Sequence, residues 1–192
     1  MIELFDGMLL YHGSYTEIKD IDLAKCKKGL DFGQGFYLTS SYQQAVNYIP
    51  LAVKKAFRIH ILGDDYKPDD GILSVYRFHY DPNLLHHCFQ TADTEWLHFV
   101  AANRETDLFP KLLEKYNTAD IITGKIADDQ TARTLQQYIR EFFGVPGSPE
   151  ADRAAIKQLI PERLQDQFCF KTQDAINCLE FIRSERYGDI NL

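Results

Sequence analysis

"LLYHGSYTEIKDIDLAKCKKGLDFGQGFYLTSSYQQAVNYI", residues 9–49, sets His12-Gly13-Ser14 at the end of an apolar run. The glycine-bracketed Gly33-Gln34-Gly35 follows, then the aromatic run "GFYLT" and a polar-apolar segment that carries Tyr48. A histidine at a strand end followed by glycine leaves main chain that a ligand amide can approach closely, because no Cβ intervenes. Gly33 and Gly35 give the same access beside Tyr37. A tyrosine ring offers a flat π face to a cationic ring, so a pyridinium is a natural guest between two such faces. A satisfied core histidine with two core tyrosines would leave the same spacing, so spacing alone does not separate chemistry from packing.

Working outward, the flanking chain reads as a mixture of strands and helices. "MLLYHG" and "GFYLT" are short strands of aromatic and aliphatic residues between turn signals. "SSYQQAVNYIPLAVKKAF" is a helix capped by Ser40 or Ser41, kinked or ended by Pro50. "FRIHIL" alternates and is expected as a strand, the acidic "GDDYKPDDG" as a turn, and "ILSVYRFHY" as the longest strand. Past Asp93 the period changes to three and four, which predicts a helix in "DTEWLHFVAANRE" with Asp93 or Thr94 as its cap. "ADIITGKI" is a buried strand, "DDQTARTLQQYIREFFG" a helix closed by Gly144, "GVPGSPE" a loop and "PEADRAAIKQLI" a helix. "QFCFKT" is expected as the last strand and "TQDAINCLEFIRSE" as the last helix, capped by Thr172. Without a repeating βαβ period or a Gly-x-Gly-x-x-Gly before a helix, the class is α+β rather than a Rossmann sheet.

The 192 residues are enough for one domain, 1–192, to bury its own core without staples. The composition, 45% hydrophobic and 26% charged, is that of a soluble globular chain. A net charge of −7 excludes a protein that coats nucleic acid through phosphates, and Lys25, Lys27 and Lys28 read as a solvated loop or helix end. Cys26, Cys88, Cys169 and Cys178 are too far apart for a Cys-x-x-Cys site and are expected as reduced, mostly buried thiols. Acidic residues stand in "MIELFDGMLL" where a signal peptide carries Lys or Arg, and the expected location is the cytoplasm, with no membrane partner.

Residues 9–49 resemble, position by position, the first two motifs of the His-Tyr-Glu ADP-ribosyltransferases, the poly(ADP-ribose) polymerase and diphtheria-toxin type. There an apolar strand ends in His-Gly-Ser or His-Gly-Thr, and a Phe-Gly-x-Gly-aromatic-Tyr strand leads into a helix bearing Ala-Asn-Tyr. Here these are "LLYHGS", "FGQGFYLT" and "AVNY". "TEWLHFVAANR", "ADIITGKIADDQ" and "QFCFKTQDAI" resemble an uncharacterised bacterial branch of that superfamily. The resemblance implies split antiparallel sheets around an NAD cleft with flanking helices, and NAD as co-substrate without a metal. It implies that His12 holds a ribose hydroxyl, that the Gly13 main chain clamps the nicotinamide carboxamide, and that Tyr37 and Tyr48 sandwich the ring. It also implies Ser14 and Gly35 as further NAD-contacting positions. Ala45 stands where poly(ADP-ribose) polymerases have a carboxamide-binding serine.

The family's third residue is a glutamate near the start of a late strand, where negative charge favours an oxocarbenium-like transition state. The matching strand, "QFCFKT", puts Gln167 there. A glutamine bonds the hydroxyl but brings no charge. That implies slower transfer of single units, or charge from elsewhere, and Gln167→Glu is expected to raise activity. Glu95 and Gln130 are rivals for the role, although Glu95 reads equally as a favourable acid at a helix N-terminus and Gln130 as surface. Asp128 and Asp129 read as that helix's cap, and the adjacent His86 and His87 as an exposed loop rather than a metal pair.

Two functions follow from the resemblance. One is mono-ADP-ribosylation of a macromolecular acceptor, protein or nucleic acid, with a toxin or defence role and a small neighbouring antitoxin-like partner. The other is a degenerate domain that binds NAD, ADP-ribose or a partner; NAD hydrolysis is a third outcome.

Overall fold

A computed structural model describes residues 3–125, 129–159 and 165–190. Among them are two β-sheets and six α-helices in an α+β mixture. The chain forms two compact units, one comprising residues up to Asp22, Tyr37–Pro82 and Ile176 onward, the other Leu23–Phe36 and Asn83–Ala175. His12 belongs to the first and Gln167 to the second.

The first unit is built on a three-stranded antiparallel sheet ordered β1-β3-β7, with β1 Leu9–Ser14, β3 Ile72–Phe78 and β7 Leu179–Arg186. Helix α1, Tyr42–Arg58, covers one face. Ala45, Val46, Ile49 and Val53 recur at helical spacing and are buried against Leu73 and Val75 of β3. Ser41 caps α1 by accepting from the Gln44 N–H at 3.2 Å. Pro50 lies inside α1 on an exposed position and does not end it. The helix runs on through "FR", so "FRIHIL" is not a strand. Phe57 extends the buried stripe begun by Ala45, Ile49 and Val53, while Ile59 and Ile61 are exposed and His60 turns the chain at φ 58°.

The second correction is β7. "TQDAINCLEFIRSE" forms a short helix, α6 Gln173–Asn177, and then this strand, so "QFCFKT" is not the last strand. Thr172 does cap α6, accepting from the Ala175 N–H at 3.3 Å. A bulge in β7 places Phe181 opposite Tyr76 and Arg183 opposite Val75, so Ile182 is the extra residue. Phe181 meets the Tyr76 ring edge-on at 5.8 Å, while Ile182 packs on the α1 core. Two neighbouring apolar residues thus both find cover, which breaks the alternation that would have marked a strand.

The four-stranded sheet is ordered β2-β6-β5-β4: β2 Phe36–Leu38, β6 Asp166–Phe170, β5 Ile121–Lys125 and β4 His86–Cys88. The chain passes from one unit to the other within β2 and within α6. β5 and β6 are antiparallel and β4 and β5 parallel, so His86 and His87 lie in a strand and not in a loop. His86 Nε2 bonds Thr123 Oγ1 at 2.7 Å, while the His87 ring lies 4.1 Å from that of Tyr116. Helices α2 Thr94–Arg104, α3 Pro110–Lys115, α4 Asp129–Ile139 and α5 Pro149–Leu159 complete the unit. Asp93 caps α2 through the Trp96 N–H at 3.0 Å. α4 ends at Ile139, five residues before Gly144, because Glu141 turns left-handed at φ 64°. Asp128 and the side chains of Asp129 and Gln130 lie outside the described residues.

Phe32, Phe89 and Phe99 stack at centroid distances of 5.2–6.2 Å in the core of this unit. None of the four thiols is in a disulfide; Cys169 is buried and the other three are partly exposed, a correction to the expected burial. Among the described residues no helix is long and apolar enough to cross a membrane, and no cluster of His, Cys, Asp and Glu is arranged to hold a metal.

Candidate functional site

The first unit brings His12 and Tyr37 together. Tyr11 and Thr39 exchange main-chain hydrogen bonds at 2.8 and 3.0 Å, an antiparallel bridge that lays the end of β1 beside β2. His12 Nδ1 lies 2.8 Å from the Tyr37 carbonyl oxygen. A carbonyl only accepts, so Nδ1 carries the proton and the neutral ring's lone pair is on Nε2. Burial pushes the His12 pKa below its ordinary value, with the Tyr37 hydrogen bond opposing more weakly. The imidazole is therefore neutral at pH 7, and its Nε2 is an acceptor suited to a hydroxyl.

Gly13 has a structural reason of its own. A Cβ there would stand 2.2 Å from the Ala45 carbonyl oxygen and 3.0 Å from Ile49 Cγ1, so glycine is what lets α1 lie close on β1. Ala45, buried itself, suits the same approach. Ser14 is buried at the end of β1, opposite Ile72. Tyr37 is half-buried, and Tyr48 is 42% exposed on α1. Neither ring is lost in the core. Lys55 Nζ stands 5.0 Å from the Tyr48 ring centroid and donates to its hydroxyl at 3.2 Å, so a cation sits at the hydroxyl edge of that ring.

In the second unit, Gly35 packs as Gly13 does: a Cβ would meet Cys169 Sγ at 2.5 Å and the Phe170 carbonyl oxygen at 2.8 Å. Gln167 lies in β6, opposite Gly124 of β5, and is 6% exposed. Its Nε2 donates to Asp31 Oδ2 at 3.2 Å and to the Lys125 carbonyl at 3.4 Å. Arg104, in the last turn of α2, reaches Asp31 Oδ1 through Nε at 3.0 Å and Nη2 at 2.5 Å. Lys125 Nζ pairs with Asp166 at 2.9 Å. Asp31 beside the glutamine is thus compensated by Arg104, and Lys125 by Asp166, as buried charges require.

Asp31 and Arg104 are the site residues that the sequence reading missed. Asp31 directly precedes the Phe-Gly-x-Gly motif, which is a local signal, but nothing local ties it to a residue 136 positions away. Glu95, the rival, is held elsewhere: its Oε1 accepts from Lys115 Nζ at 2.5 Å and the Tyr116 hydroxyl at 2.7 Å, and Lys115 keeps its carboxyl below the ordinary value. It fastens α2 to the end of α3.

A family model, described as a protein of unknown function (DUF3990), matches residues 8–181. The chain belongs to this family. Its match runs from Met8, just before β1, to Phe181 in β7, so His12, Tyr37, Tyr48 and Gln167 all lie inside it. No curated protein and no solved structure matches the chain.

Proposed function

We propose that this DUF3990 member is an ADP-ribosyltransferase that uses NAD as co-substrate and modifies a macromolecular acceptor. The observation that carries the reading is the His12 Nδ1–H bond to the Tyr37 carbonyl, which joins the His-Gly-Ser and Phe-Gly-x-Gly-aromatic-Tyr motifs and leaves a neutral histidine with an acceptor nitrogen. NAD supplies a glycosidic bond that breaks with its electron pair on the nicotinamide nitrogen, while an acceptor nucleophile bonds the anomeric carbon and releases its proton to solvent. His12 Nε2 accepts a ribose hydroxyl, the main chain at Gly13 and Ser14 takes the carboxamide, and Tyr37 with Tyr48 offers ring faces to the pyridinium. Gln167 takes the third position by resemblance, and the ADP-ribosyltransferase-like split-sheet fold is part of the same proposal.

Lys55 beside the Tyr48 hydroxyl favours a second reading, a domain that binds ADP-ribose or a partner without turnover, because its like charge opposes a pyridinium stacked on that ring. Labelled NAD with purified protein and bacterial lysate decides between them. Label should enter macromolecules with the parent and fall at least about 100-fold with His12→Ala. Separate nuclease and protease treatment then names the acceptor class. Binding of NAD with no label transferred and no nicotinamide released would establish the binding domain instead.

A further inference from the structure

Gln167 donates twice through one nitrogen, and both of its partners, the Asp31 carboxylate and the Lys125 carbonyl, only accept. The amide therefore has one orientation: its NH2 faces them and its Oε1 is left as the acceptor end. Among the described residues nothing donates to Oε1. Asp31 is itself anchored. Arg104 occupies Oδ1, leaving Oδ2 for the glutamine. The neighbouring Phe32 is stacked into the aromatic core, and Gln34 ties its loop by donating to the Leu23 and Cys26 carbonyls at 2.9 and 3.2 Å.

We infer that Asp31 is a positioning residue for Gln167: held by Arg104, its carboxylate fixes the amide so that Oε1 presents an acceptor to a ligand hydroxyl. In its ligand, this rests on the transfer reading above. It also accounts for the glutamine. A carboxylate at position 167 would face the Asp31 carboxylate and the Lys125 carbonyl with no proton between them, so the negative charge of this unit sits at position 31 and the residue it holds must be a donor. Gln167→Glu is then a mismatch and not a restored catalyst.

The test uses purified full chain in two arms. In the first, label transferred from NAD to macromolecules of a bacterial lysate, and the KM for NAD, are measured for the parent, Asp31→Ala and Asp31→Asn. Asp31→Ala should lower kcat about 100-fold with the KM for NAD changed much less, and Asp31→Asn, which keeps an acceptor oxygen for the amide, should recover most of it. An Asp31→Ala kcat close to the parent's, or an Asp31→Asn as inactive as Asp31→Ala, overturns the positioning role. The second arm needs no activity. In Gln167→Glu the new carboxyl beside Asp31 holds its proton more tightly folded than unfolded, so the melting midpoint relative to the parent should fall as pH rises from 5 to 8. The double change Asp31→Asn with Gln167→Glu should remove that fall. An unchanged pH profile in the single variant overturns the pairing. A parent that transfers no label to lysate macromolecules refutes the transfer reading alone, and the pH arm then decides whether Asp31 positions Gln167.

Discussion

His12 shows how one hydrogen bond converts a strand residue into a defined chemical group. Its position after an apolar run was legible in the sequence; its tautomer and depressed pKa depend on a carbonyl 25 residues away. The depressed pKa has a consequence for stability. Below the ordinary value of 6.5 the unfolded ring takes a proton that the folded ring refuses. The unfolded state then binds more protons, so this contribution is complete above pH 6.5 and is lost as pH falls through that value. His12→Asn keeps an N–H for the Tyr37 carbonyl but cannot titrate. Its melting midpoint should therefore fall less than the parent's between pH 7.5 and 5.5. His87, whose pKa burial also lowers, has the same sign and accounts for part of what remains. Equal slopes in parent and variant would show that His12 is not the group titrating.

At the scale of elements, α1 is where periodicity outweighed local signals. Pro50 cannot donate to the Val46 carbonyl, and "FRIHIL" alternates like a strand, yet the buried stripe from Ala45 through Val53 to Phe57 holds one helix from Tyr42 to Arg58. An interior proline costs a helix up to about 3 kcal/mol. Pro50→Ala should thus stabilise the chain by about 1–3 kcal/mol, and at about 2–4 °C per kcal/mol for this size raise the melting midpoint by several degrees. A midpoint that stays or drops would mean that the bend at Pro50 is needed for packing on β1. β7 failed to show for the opposite reason: its bulge at Ile182 cancelled the period of two, and only its pairing with β3 makes it a strand.

For the molecule as a whole, each unit has its own sheet and apolar core, and no cysteine forms a disulfide. No covalent staple contributes, so the melting midpoint should be the same with and without dithiothreitol, whereas a clear drop on reduction would reveal a disulfide. The α+β class, the strands bearing His12, Tyr37 and Gln167, the Asp93 and Thr172 caps and the buried β5 were all determined by the sequence itself, because each depends on burial period or on a hydrogen bond within a few residues. Pairing across long separations was decided by the tertiary structure alone. The parallel β4, the strand β7 and the Arg104–Asp31–Gln167 contacts arise only when distant segments share a sheet or a core, and no local pattern encodes which carboxylate a buried amide will face.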